Sequence, residues 1–333
     1  MKILIASPIY ADALDHLRKD NDVVTAFDAG SEELIQRIRD REVLVFRSGV
    51  DITADVMATA PSLRLLVRAG SGFDNVDVAY CRERGIEMIR IPGPGARAVA
   101  ELGFSLMLAL ARQIFVADHL LRKGRWAKHE LSGYLLGGKT LGIYGAGNIG
   151  SLVGRLGHAW GMHVIGCVKN STEERVTALS EDGVRLVDTD EVIEKSDFLS
   201  INLPLCDETR NIIEADTLSR MKQGSFLVNL ARGGIVDENA LLDALTSGHL
   251  GGAALDVHAN EGDGKISPLA ELSKVILTPH IGAMTVDSQR AIGERVIEII
   301  EQRSLLGQAA AHGCQRLQRK QEDKTRHHCR GRC

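Results

Sequence analysis

The run Gly145, Ala146, Gly147, Asn148, Ile149, Gly150 constrains the fold of this chain more than any other, because of what flanks it. Lys139 to Tyr144, ahead of it, is short and apolar and reads as a buried strand. Ser151 to Trp160, behind it, carries Leu152, Val153, Leu156 and Ala159 at helical spacing, and Met162 to Val168 is a second apolar run. Strand, glycine turn, helix, strand is the setting in which G-x-G-x-x-G binds a dinucleotide. Gly145 permits the tight turn, Gly147 lets backbone approach a pyrophosphate, and Gly150 lets the helix pack on the strand. The anion then sits at the helix N-terminus, among the amides of Asn148 and Ile149.

A length of 333 residues with 44% hydrophobic content suits two ordinary cores. The formal net charge of -4 argues against nucleic acid as a partner. No window holds the roughly 18 uninterrupted apolar residues of a membrane span. Met1 to Pro8 is too short in its apolar part for a signal peptide. Six scattered cysteines without metal or redox spacing point to a reducing, cytoplasmic location and to no metal site.

Strand-like runs at Ile3–Ala6, Val43–Phe46, Leu65–Val67 and Glu87–Arg90 alternate with helix-like runs at Ala11–Arg18, Ser31–Arg39 and Val76–Arg84. Such alternation implies a parallel sheet covered by helices. Ala98–Ala111 reads as a long apolar helix after the break Pro92 to Gly95. A second set of strands follows near Val164, Phe198–Asn202, Phe226–Asn229, Gly252–Leu255 and Val275–Leu277. The expected fold is α/β, with two doubly wound parallel-sheet domains. A Rossmann cofactor domain (98–285) is inserted into a flavodoxin-like substrate domain (1–97 and 286–305). The last apolar helix, with Ile292, Val296, Ile299 and Ile300 on one face, returns to the first domain. Residues 306–333 read as a disordered tail, nearly free of apolar residues past Leu317.

Ligands of open parallel sheets bind beyond the carboxyl ends of the strands. Three polar groups stand there: Arg232, Glu261 beyond Asp256, and His280. Reducing a keto acid needs a cation for carboxylate and carbonyl, a proton donor, and a group that aligns the donor. Arg232, His280 and Glu261 match these needs in turn. Taken singly, each reads more plainly as a surface ion pair, a structural hydrogen-bonder or a solvated loop acid. Their joint placement beside a nucleotide fingerprint is what favours the chemical reading.

These motifs resemble the D-2-hydroxyacid dehydrogenase family along about residues 1–300. The matching stretches are Arg68 to Asp77 (RAGSGFDNVD), Val99 to Glu101, Gly138 to Ile143 and Asn202 to Pro204 with Glu208 and Thr209. Asn229 to Glu238 (NLARGGIVDE), Ala253 to Val257 (AALDV) and Thr278 to Gly282 (TPHIG) complete them. The resemblance implies that Arg232 orients the substrate, that His280 donates the proton, and that Glu261 keeps His280 charged and aligned. It implies cofactor contacts from Leu203, Pro204, Thr209, Leu230, Ala231, Arg232, Asp256, His280, Gly282 and Ala283. It implies an anion-binding loop at Gly70, Ser71 and Gly72 and a homodimer built through the cofactor domain. Within the family, Phe46 to Gly49 and the Arg68 loop look most like D-3-phosphoglycerate dehydrogenases, without the regulatory domain that many of those carry. Arg47 and Ser48 then face a substrate phosphate, although Arg47 reads equally as a surface residue. A glyoxylate or hydroxypyruvate reductase is the alternative enzyme, and an NAD(H)-sensing, corepressor-like binding protein the alternative of another class.

Three departures qualify the likeness. Val168 stands where the ribose-binding acid is expected, followed by Lys169, so NADP as well as NAD is expected as cofactor. His258 and Gly262 replace a usual Phe and a usual Pro around Glu261. The chain after about Ser304 lacks the family's ending, and His327, His328 and Cys329 there read as part of a solvated basic tail.

Overall fold

β-Branched and aliphatic runs of three to five residues form the strands, and parallel pairing buries most of them on both faces. The computed structural model describes residues 1–27 and 29–306. Its contacts divide the chain into two compact units, 1–70 with 75–91 and the segment from Arg290, and 71–74 with 92–289.

In the first unit, β1 (Lys2–Ile5), β2 (Asp22–Thr25), β3 (Val43–Phe46), β4 (Leu65–Arg68) and β5 (Glu87–Arg90) form a parallel sheet in the order β2-β1-β3-β4-β5. This is the flavodoxin-like order anticipated from the alternation. Helices α1 (Ala11–Asp20), α2 (Ser31–Ile38), α3 (Ala54–Ala58) and α4 (Val78–Arg84) connect the strands. The last described helix, 286–306, buries Ile292, Val296, Ile299 and Ile300 with Ile3, Ile5, Val43 and Leu65. That is the apolar face read from the spacing, and each such side chain contributes roughly 1.5–3 kcal/mol of burial.

The second unit begins with α5 (Gly93–Ala111) and α6 (Ile114–Arg122). The helix was expected from Ala98, but Pro92 to Gly95 do not break it. Prolines in a first turn surrender only amides that lack helical partners, so α5 starts at Gly93. The units accordingly change over at Pro92 and Arg290 rather than at 98 and 286. By length and composition α5 is the one described helix able to cross a membrane, yet Phe104, Leu106, Met107 and Leu110 lie buried in the core of this unit.

The sheet of this unit holds β6 (Thr140–Tyr144), β7 (His163–Cys167), β8 (Val184–Leu186), β9 (Phe198–Ile201), β10 (Phe226–Asn229), β11 (Gly252–Leu255) and β12 (Val275–Leu277). All pair in parallel, in the order β12-β11-β10-β9-β6-β7-β8. Helices α7 (Asn148–Ala159), α8 (Glu173–Glu181), α9 (Thr189–Lys195), α10 (Ala215–Arg220) and α11 (Glu238–Thr246) complete it. Strand order reverses between β6 and β9, which sets the topological switch point beside the glycine turn. The Rossmann expectation is met. The expectation for 306–333 falls, past Leu306, outside the described residues, as do His327, His328 and Cys329.

Candidate active site

Gly145, Gly147 and Gly150 are glycines for different reasons. Gly145 has φ +96°, and a Cβ there would stand 2.8 Å from the Asn202 carbonyl oxygen. A Cβ on Gly150 would overlap the Gly145 carbonyl and lie 2.7 Å from Ile143 Cγ2. Gly147 is open: the first atom a Cβ would meet is Arg175 Nη2, at 4.0 Å. Gly147 also caps α7 without a side-chain bond, so the amides of the first turn face outward. An uncapped helix start behind an open glycine fits a pyrophosphate, and Gly145, Gly147, Asn148, Ile149 and Gly150 are the residues that would hold it.

The rim of this turn differs from the sequence reading in two particulars. Arg175, at the start of α8, donates through Nη2 to the Ala146 carbonyl at 2.6 Å, while its Nε is buried without a partner among the described residues. Lys169 is exposed beyond β7 and faces Glu208. A hydrogen bond from Cys206 and the charge of Lys169 hold that carboxyl below the usual range. Across the switch point Thr209 Oγ1 donates to the Pro204 carbonyl at 2.7 Å and accepts from Cys206 N at 2.9 Å, which shapes the loop beside Leu203.

Arg232, Glu261 and His280 follow the adjacent strands β10, β11 and β12. Asn229 builds the turn beneath Arg232. Its Nδ2 donates to the Arg232 carbonyl at 3.0 Å and its Oδ1 accepts from Ala231 N at 3.0 Å. At the tip, Arg232 Nε donates to Asp74 Oδ2 at 3.1 Å and Nη1 to the Ala231 carbonyl at 2.7 Å. A Cβ on Gly72 would overlap Asp74 Oδ1 and stand 2.5 Å from Arg232 Nη2, so the pair packs against bare backbone there and a side chain at 72 would displace it. Leu230 packs toward α5, 3.6 Å from the place of a Cβ on Gly103.

His280 sits in the left-handed region at φ 53°. Asp256, 1% exposed, builds the loop that holds it there. Its Oδ1 accepts from Thr278 Oγ1 at 2.5 Å and Ile281 N at 2.9 Å, and its Oδ2 accepts from Gly282 N at 2.8 Å. This carboxylate, read from the sequence as a cofactor contact, therefore has a structural task of its own.

Glu261 Oε2 and His280 Nδ1 are 2.9 Å apart, and Glu261 Oε1 accepts from His258 N at 3.1 Å. Burial pushes the Glu261 carboxyl up. The bond and charge of His280, with the amide and charge of His258, outweigh it and leave the group below the usual carboxylate range. A carboxylate on Nδ1 fixes the tautomer and leaves Nε2 as the ring nitrogen for proton delivery.

The departures around Glu261 have local explanations. His258 Nε2 lies 2.9 Å from the Thr278 carbonyl, which can only accept, so Nε2 carries the hydrogen. Its Nδ1 is then buried without a partner among the described residues. Gly262 has φ +115°, which proline cannot reach. Glu238 accepts from Ala259 N at 2.6 Å and so braces the same loop from α11.

In the first unit Arg47 is partly buried and Ser48 exposed beyond β3. Burial pushes the Arg47 guanidinium below its ordinary value. Gly70 follows β4, with Arg68 Cζ 3.5 Å from the place of its Cβ. Ser71 and Gly72 belong to the second unit, and Ala283 stands 3.1 Å from the place of a Cβ on Gly95. Sequence reasoning missed Asp74, Asn229, Arg175 and Glu238 as supports. Asp74, Asn229 and Glu238 lay inside motifs already singled out, but nothing in their spacing names their partners.

Comparison with known proteins gives a consistent picture. Residues 104–282 match the family described as "D-isomer specific 2-hydroxyacid dehydrogenase, NAD binding domain". The chain is 41% identical over 302 residues to a D-3-phosphoglycerate dehydrogenase of Methanocaldococcus jannaschii, covering 90% of this chain and 57% of that protein. It is 38% identical over 302 residues to a hydroxypyruvate reductase of Thermotoga maritima, covering 90% of this chain and 97% of that one. The crystal structure of a D-lactate dehydrogenase from Aquifex aeolicus, complexed with NAD and lactic acid, matches with a TM-score of 0.80 at 28% identity. That match covers 90% of this chain and 94% of the other. Thus the chain spans little more than half the length of some relatives and nearly all of another.

Proposed function

Since the chain belongs to the D-isomer specific 2-hydroxyacid dehydrogenase family, we propose that it interconverts a 2-keto acid and the D-2-hydroxy acid with a nicotinamide cofactor. The observation that carries this reading is the Glu261–His280 pair at 2.9 Å on the strand-end row that also presents Arg232. The nicotinamide supplies or accepts the hydride when bound. Arg232 holds the substrate carboxylate and polarises the carbonyl, and the amides of Gly70, Ser71 and Gly72 receive the carboxylate. His280 delivers the proton from Nε2 to the carbonyl oxygen, with Glu261 stabilising the charged ring before transfer.

Two finer points belong to the same proposal. With Val168 in the ribose seat and Lys169 exposed beside it, NADP is accepted alongside NAD. Arg47, half-buried at a strand end, supports a phosphate-bearing substrate such as 3-phosphohydroxypyruvate; hydroxypyruvate or glyoxylate is the alternative.

The assembly proposed is a homodimer through the second unit, supported by α6. That helix buries none of its residues and exposes Ile114, Phe115 and Leu121, and Trp126 and Leu135 in the segment after it are more exposed still. Free, buried Cys81 and Cys167 accord with a reducing cytoplasm.

Absorbance at 340 nm with pyruvate, glyoxylate, hydroxypyruvate and 3-phosphohydroxypyruvate, each with NADH and NADPH, tests the activity. Turnover to the D-product supports it. Tight cofactor binding without turnover of any 2-keto acid would favour the corepressor-like reading instead.

A further inference from the structure

Arg232 and Asp74 lie 158 residues apart in sequence, yet their side chains meet at 3.1 Å. Both are partly screened from solvent, with 21% and 30% of the side chain exposed, so this pair is not a freely hydrated surface bridge. The geometry is selective. Asp74 takes the Nε hydrogen, and the Ala231 carbonyl takes one from Nη1. The guanidinium is planar with five donors, so fixing Nε and one Nη1 hydrogen fixes the plane and the direction of the rest. Nη2 thereby lies against Gly72, in the loop proposed to receive the substrate carboxylate.

The pair packs against the bare backbone of Gly72, where a Cβ would press on both side chains. Asn229 holds the turn beneath it, donating to the Arg232 carbonyl and accepting from the Ala231 amide, so the base of the side chain is anchored as well as its tip. A guanidinium on a long flexible stem otherwise samples many rotamers, and orienting it in advance removes that cost from substrate binding.

We propose that Asp74 is a positioning residue for the reaction: it aims the guanidinium of Arg232 at the carboxylate and carbonyl oxygen of a 2-keto acid. The inference rests on the reading above, in which Arg232 receives those oxygens.

A double-mutant cycle on Asp74→Ala and Arg232→Ala tests it, by single-turnover rates at saturating cofactor and by fluorescence titration of NADH. Asp74→Ala alone should lower kcat/KM about 10- to 150-fold, the range for a hydrogen bond to a charged group, and leave the NADH Kd within about twofold. On the Arg232→Ala background the same change should cost less than about twofold, because the group it aims is gone. Asp74→Asn keeps an oxygen for Nε and should lose less than Asp74→Ala; it carries the same cycle if the alanine variant does not fold. Equal losses on both backgrounds, or an NADH Kd that rises in step with the rate loss, would overturn the proposal. A wild type that turns over no 2-keto acid removes the reading and this inference together, whereas turnover with an additive cycle removes this inference alone.

Discussion

Glu261 Oε2 and His280 Nδ1 are 2.9 Å apart, while Glu261 Oε1 is tied to the His258 amide. One carboxylate therefore locks its own loop and orients the ring of the next strand end. The lowered Glu261 value sets the sign of its pH effect. Stability from the ionised carboxylate is complete above the ordinary glutamate range and is lost as pH falls through the depressed value. Glu261→Gln keeps an acceptor for the ring but removes the carboxylate's charge, and should lower kcat about tenfold or more while leaving NADH affinity within about twofold. An unchanged kcat would reduce Glu261 to a loop brace.

His280→Gln should lower kcat by roughly 10²–10⁴-fold, the usual contribution of a positioned proton donor. NADH affinity should remain almost unchanged. Retention of more than about a third of the wild-type kcat would remove the ring from the reaction.

The cofactor choice proposed above rests on the residues just past β7 and β9. Lys169 is exposed but already faces Glu208, so its charge is shared. A charge-assisted hydrogen bond to the 2′-phosphate is still worth about 1.5–3 kcal/mol. Lys169→Ala should weaken NADP tenfold or more and hardly change NAD, and Val168→Asp should turn the preference toward NAD. Equal effects on both cofactors, or strict NAD use by the wild type, contradict the assignment.

Asp256 accepts three hydrogen bonds while almost wholly buried. Asp256→Ala strands those donors, at roughly 1–3 kcal/mol for each that finds no new partner. Calorimetry should show a large drop in melting temperature alongside lost turnover. A variant that melts like the wild type but has lost activity would instead assign Asp256 to the cofactor.

The strands that carry the site were legible as short apolar runs punctuated by Asn229, Asp256 and Thr278. Val43–Phe46, Glu87–Arg90, Phe226–Asn229, Gly252–Leu255 and Val275–Leu277 fall where the pattern put them. Two of the four edge strands, Asp22–Thr25 and Val184–Leu186, were missed. Edge strands keep a solvated side, so polar residues interrupt the apolar signal on which such a reading depends. The supports of the site were illegible for another reason. Asp74 reaches Arg232, and Glu238 reaches Ala259, by contacts that only the tertiary fold creates. Local spacing carries no record of them.

The three turn glycines differ in what forbids a side chain. At Gly145 and Gly150 the protein itself does, whereas at Gly147 the first atom met among the described residues, apart from the glycine's own neighbours, is Arg175 Nη2 at 4.0 Å. Alanine at 147 should therefore leave the melting temperature intact and still exclude a pyrophosphate, giving a folded protein blind to nucleotide. Selection for folding alone has no means to preserve that glycine. Across descendants of this gene, changes at 150 would report damage to the protein, while drift at 147 would date the moment a lineage gave up its cofactor.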